Sequence, residues 1–266
     1  MLRRLWHGWQ RQRERTAVQR RAIPDDLWKR TLIRYPFLQR QDTHDRDELR
    51  RLTSLFLDRK EFSTVGDLRL SDAMVVSIAA QAVLPVLRLG LAPYDGFVGI
   101  VVHADQVRAR REVADDDGIV HEYDELLSGE AMEGGPVMLS WRDVRSAGQS
   151  AAVGYNVVIH EFAHVLDMAD GLADGVPVLP PELPRAGWCS TLQAEYQAFV
   201  ARVDAGETTV LDPYGSHGVE EFFAVASEAF FVSPEAMKKE HPALYGMFCR
   251  YYRQDPADAR PPARNA

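Results

Sequence analysis

The sequence predicts an α+β fold with a mainly helical N-terminal part, on three observations. Candidate strands gather in one central stretch, at residues 96–103, 119–123 and 136–141, with helical periodicity before and after them. The longest apolar runs have the length of buried helices rather than of membrane spans. A chain of 266 residues, 46% hydrophobic and 26% charged, has the size and composition to enclose one large core.

Taken in order, residues 1–22 form a basic segment. Seven arginines (Arg3, Arg4, Arg11, Arg13, Arg15, Arg20, Arg21) stand against one acid, Glu14, with Trp6 and Trp9 as anchors. Two readings are open, a helix packed at the edge of the molecule and a tail that meets an acidic partner or a membrane surface. One domain is expected over 23–255. Its first part, to residue 91, is helical, best at 45–57 and 71–87. The apolar run 73–87 is broken by Ser77, Gln81 and Pro85 and is too short to span a bilayer, so no membrane span is expected. Residues 96–103 (GFVGIVVH) are β-branched and read as a strand. The stretch 105–133 is strongly acidic, including Asp115-Asp116-Asp117, and reads as solvated surface around the second strand. Gly134-Gly135 turns the chain into the third strand. Helices follow at 156–169, 188–203, 219–232 and, with interruptions, 234–252. The tail 256–266 holds three prolines without apolar periodicity and reads as disordered.

Charge and cysteine content narrow the function. A net charge of −8 excludes a surface that is one large nucleic-acid footprint, and no direct nucleic-acid partner is expected. Cys189 and Cys249 match neither a disulfide framework nor a zinc ribbon, and read as buried free thiols of a reducing compartment. The N-terminus lacks the apolar core of a signal peptide, so the expected location is cytoplasmic.

The chemistry lies in His160-Glu161-Phe162-Ala163-His164. Asn156 can cap this helix and Gly171 can end it in the left-handed conformation. Histidines four apart project from one face one turn apart, so both imidazoles can reach one ion. Glu161 is rotated about 100° from His160, which suits it to general base work beside a bound water and not to ligation. The five-residue pattern arises by accident often enough that context must support it. Here the surrounding Val157, Val158, Phe162, Val165 and Leu166 are apolar, and imidazoles in a buried helix need partners. A third ligand is required. One candidate is a glutamate of the apolar helix 219–232, where Glu221 and Glu228 share a face and Glu220 points away. The others are Asp170, in a setting that lacks the glycine a related zinc-site geometry needs at 167, and the loop residue His217. Asp167, one turn past His164, is a candidate acceptor for a ligand imidazole.

These residues carry a resemblance. HEFAHVLDM (160–168), GVP (175–177), AGW (186–188), DPY (212–214) and EEFFAVASEAFF (220–231) occur in an ordered series. Upstream the series continues through LPVLRLGL (84–91), YDGF (94–97), GGPVMLSWRDV (134–144) and GYNVVIHEFAH (154–164). Over roughly residues 70–255 the chain resembles the Mlc titration factor A family of bacterial cytoplasmic zinc peptidases, whose catalytic region is similar to that of anthrax lethal factor. The resemblance implies a zincin-like peptidase domain, one Zn2+ per chain held by His160, His164 and Glu221, and Glu161 as base. It also implies a catalytic role for Tyr214, seven residues before the glutamate ligand, whose phenol can donate to an oxyanion. Aminopeptidase-type activity on a peptide or protein substrate is implied too, as is binding of a transcriptional repressor. The strand near 137–141 is expected to hold an extended substrate by edge pairing. The alternative function is a regulatory protein that sequesters a transcription factor, its zinc mainly structural.

Overall fold

The computed structural model describes residues 2–114, 120–150 and 154–258, with the backbone alone at 2–8, 10–11, 108–114, 120–127 and 149–150. The expected acidic run 115–117 and the last eight residues of the expected tail lie outside the described residues.

Four helix starts show how local sequence sets the elements. Asp42 accepts from the Asp45 N–H at 2.8 Å and caps α3 (Thr43–Arg59), and Ser71 caps α4 (Asp72–Val83). Asn156 caps α6 (Val157–Asp167) by accepting from Ile159 N–H at 3.0 Å. Pro234 at the first position starts α9 (Pro234–Glu240) directly after α8 (Val219–Val232). The N-terminal helix α1 (Leu2–Arg20) packs on α3, where Arg20 donates to Asp58 at 2.6 Å and Arg51 to Glu14 at 3.4 Å. α2 (Asp25–Arg34) lies against α4.

The sheet has four short strands in the order β1 (Glu61–Thr64), β2 (Gly99–His103), β6 (Val137–Ser140), β5 (Gly129–Ala131). β1, β2 and β6 run parallel, with Glu61 opposite Gly99 and Ile100 opposite Val137, while β5 joins β6 antiparallel. Helix α4 forms the crossover between β1 and β2, so the strands are not segregated from the helices as the sequence reading expected. A separate hairpin, β3 (Val107–Ala114) and β4 (Val120–Leu127), interrupts the path from β2 to β5. One correction concerns the peptide-holding strand. β6 is paired on both sides, so it has no edge to offer, and the free edge beside it belongs to β5.

Two aromatic clusters fix the functional helix. Behind α6, Phe162 meets Tyr94 at 5.0 Å, Phe56 at 5.7 Å and Phe97 at 5.9 Å between ring centroids. Lys60 is buried just before β1, donates to the carbonyls of Tyr94 and Phe97, and has its ammonium pushed down to about 8 by burial. The second cluster joins Phe223, Phe230 and Phe231 of α8 to Phe248 and Tyr252 of α10 (Pro242–Tyr252), with Trp188 of α7 (Arg185–Asp204) stacked on Phe248. α6 thus lies between α8 on one side and β5, α4 and α5 (Trp141–Ser150) on the others. At the C-terminal end Asp258 pairs with Lys238 at 2.7 Å and Ala257 N–H donates to the Tyr245 hydroxyl, so the start of the expected tail is tied down. Both cysteines are free and half-buried, more exposed than expected. Among the described residues no helix is long and apolar enough to cross a membrane.

Candidate metal centre

His160 and His164 project from one face of α6 and meet Glu221 from the first turn of α8. The imidazole Nε2 atoms are 3.2 Å apart, and Glu221 Oε2 lies 3.1 Å from His160 Nε2 and 3.4 Å from His164 Nε2. The side chains are 12, 14 and 21% exposed, so the triangle is mostly buried but not sealed from solvent.

A cation fits this triangle. His160 Nδ1 lies 2.8 Å from Glu228 Oε1, an acceptor-only carboxylate when ionised, so this contact keeps a proton on Nδ1 and leaves Nε2 to present its lone pair once a cation replaces the proton there. Glu221 Oε2 is buried and has no hydrogen-bond partner among the described residues. Electron pairs aimed at one point need positive charge between them. Ligand bonds of about 2.0–2.1 Å in a tetrahedral site set ligand atoms roughly 3.3–3.4 Å apart, close to the observed triangle. Electrostatics agree. Burial opposes a charge on His160, yet Glu221 and Glu228 outweigh it and raise the imidazole well above its ordinary value. Burial likewise raises Glu221, but the two imidazoles overcome it and hold the carboxyl well below the usual range.

Glu228 is the site residue whose role the sequence reading missed. It was weighed only as a rival ligand, whereas it accepts from His160 and from the Asn156 backbone N–H, and Asn156 donates in turn to Gln81 at 2.9 Å. Its seven-residue spacing from Glu221 on an apolar helix was the available signal. The role first considered for Asp167 falls to Glu228. The Asp167 carboxylate accepts from Gly175 N–H at 2.9 Å, and its other oxygen has no partner among the described residues.

Glu161 is buried against β5, where a Cβ added to Gly129 would come 2.7 Å from its carboxyl carbon. Burial pushes its carboxyl up to about 7, against the pull of both imidazoles. Tyr214 is 38% exposed, with its ring 6.0 Å from that of His160 and 4.9 Å from that of His217. Two rival ligands stay outside the cluster. Asp170 is exposed and faces Arg185 at 3.6 Å, and His217 is exposed beside Tyr214.

Comparison with known proteins gives the chain its relatives. An uncharacterized protein of Synechocystis is 34% identical over 253 residues, covering 94% of this chain and 90% of the relative. Mlc titration factor A of Pectobacterium atrosepticum is 36% identical over 84% of both chains. The protein of that name from Edwardsiella ictaluri is 38% identical over 79% of this chain and 82% of its own. Residues 6–253 match the family described as glucose-regulated metallo-peptidase M90, a description that implies a metal ion, and the chain belongs to that family.

Proposed function

We propose that this protein is a zinc-dependent peptidase, aminopeptidase-type as its resemblance implies, acting in a reducing, cytoplasmic compartment that suits its unpaired cysteines. The observation that carries the reading is the triangle of His160 Nε2, His164 Nε2 and Glu221 Oε2, with Glu161 buried one residue from the first of them. In this reading those three residues would hold the ion, which when bound would supply Lewis-acid polarisation of the substrate carbonyl and an acidified water. Glu161 would accept a proton from the attacking water and return it to the leaving amine. The Tyr214 phenol donates a hydrogen bond to the carbonyl oxygen as it becomes negative. Glu228 fixes the tautomer and orientation of His160. The free edge of β5, the strand whose face Glu161 packs on at Gly129, pairs with the extended peptide.

A second reading draws on the name that two of the relatives carry, Mlc titration factor A. It makes the chain a binder of a transcriptional repressor, with the metal mainly structural. A structural zinc site is closed by four protein ligands, and the cluster here offers three among the described residues. One variant separates the two. Glu161→Gln keeps shape and ligands, so metal content should stay near one ion per chain while hydrolysis of a fluorogenic peptide falls at least about a hundredfold. Full turnover by the metal-loaded variant overturns the mechanism.

A further inference from the structure

A cavity of about 830 Å³ lies beside the C-terminal half of α6, on the β5 side, and no step of the chemistry uses it. Its floor is apolar and buried, from Phe97, Leu166 and Tyr251, with Leu89 half-buried beside them. Its rim carries two large apolar side chains held in solvent, Met132 at 43% and Val178 at 59% exposure. The volume is that of a small-molecule site, and apolar groups kept at the mouth of an apolar hollow mark a place where something apolar docks.

The position identifies the occupant. Val165 lines the cavity and lies four residues after Glu161, hence on the same face of α6 one turn, about 6 Å, further on. Met132, Glu133 and Gly134 also line it, and they directly continue β5, whose Gly129 touches Glu161. Both walls therefore run from the base to the cavity. An extended peptide advances about 3.3 Å per residue, so a chain on the β5 edge with its reacting bond at Glu161 brings a side chain about two residues away to the cavity mouth. The charges at the rim filter what enters. Arg253 is engaged by Glu182 at 2.9 Å, whereas Glu133 is exposed with no cationic partner among the described residues.

We propose that this cavity is a side-chain subsite that selects peptides carrying a bulky apolar residue, such as Phe, Leu or Met, about two residues from the cleaved bond, and rejects acidic ones. The assignment rests on the peptidase reading for its substrate class, so its test reads binding before turnover.

The test uses metal-loaded, full-length Glu161→Gln protein and six-residue alanine peptides in which one Phe, Gly or Asp is walked through the positions. Calorimetric titration should show at least about tenfold tighter binding for Phe than for Gly at one position, and weaker binding for Asp there. Ala169→Trp, on an exposed lining residue, narrows the mouth, and Val178→Asp puts a charge on its rim. Each should remove the Phe preference. Equal binding of the Phe and Gly peptides, a preference that survives both rim variants, or no binding of any peptide overturns the proposal. A Phe preference that both variants remove supports the subsite even if the parent protein cleaves none of these peptides. That result would sink the hydrolytic reading alone.

Discussion

At Glu228 one buried carboxylate of α8 holds α6 at two points, His160 through Nδ1 and the start of the helix through the Asn156 N–H. Glu228→Gln keeps the volume but offers a single carbonyl oxygen to two donors, so one of them faces an amide N–H2. Outer partners of this kind typically contribute 10–100-fold to metal affinity. Competition with a chelator should therefore show zinc affinity lowered about tenfold or more in Glu228→Gln, while Glu221→Ala, which removes an inner group, loses most of it. Equal retention by Glu228→Gln and the parent protein would return Glu228 to a purely structural cap. The residues of the motif were legible because HExxH encodes its own geometry. Glu228 was harder to read, since its meaning depends on α8 crossing α6 in a particular register that no local pattern states.

Among the elements, Gly175 is the clip that ties the end of α6 to α7 and α8. Its N–H donates to Asp167, its carbonyl accepts from Trp188, and its φ of +73° lies in the left-handed region. A Cβ there would stand 2.8 Å from Leu192 and 3.0 Å from the Val219 carbonyl, at the residue where α8 begins. Gly175→Ala should cost about 2 kcal/mol or more in urea unfolding, from the left-handed strain together with a clash against backbone. A loss well under 1 kcal/mol would show that the loop relaxes freely. Long periodic helices could be read in advance, and the expected 219–232 coincides with α8. Some strands could not, although the expected 96–103 and 136–141 contain β2 and β6. β1 (EFST) and β5 (GEA) hold too few apolar residues to show alternation, and β3 lies in a stretch read as charged surface. The expected strand 136–141 ran one residue into α5, an amphipathic helix that the strand reading concealed.

For the whole molecule, the order β1-β2-β6-β5 was beyond local pattern, because strand adjacency follows from which apolar faces the helices cover. The buried interior also sets a pH response. Burial raises the Asp167 carboxyl to about 6, from an ordinary value near 3.8, with the Gly175 N–H and His164 offsetting part of the effect. The folded state then holds its proton more tightly than the unfolded chain does. Stability from this group is thus fully present below about pH 3.8, falls as pH rises through the window to about 6, and is flat above it, a change of about 3 kcal/mol at most. Denaturant unfolding at pH 4, 5, 6 and 7 should show this fall in the parent protein and its absence in Asp167→Asn. A pH-independent difference between the two would mean that the carboxylate is ionised without cost.

The cap at Asn156 has a consequence for where the protein breathes. The first amides of a helix usually lack partners and are the first to open. In α6 the Asn156 N–H donates to a buried carboxylate, the Ile159 N–H to the Asn156 side chain, and that side chain is bolted to Gln81. Hydrogen–deuterium exchange at Asn156 and Ile159 should therefore proceed only through global unfolding, among the slowest rates in the chain. The exposed 3-10 turn that follows this helix, at residues 169–171, should exchange orders of magnitude faster. The helix that carries the metal triangle is then anchored at its beginning, and its freedom to move lies at its far end, beside the cavity.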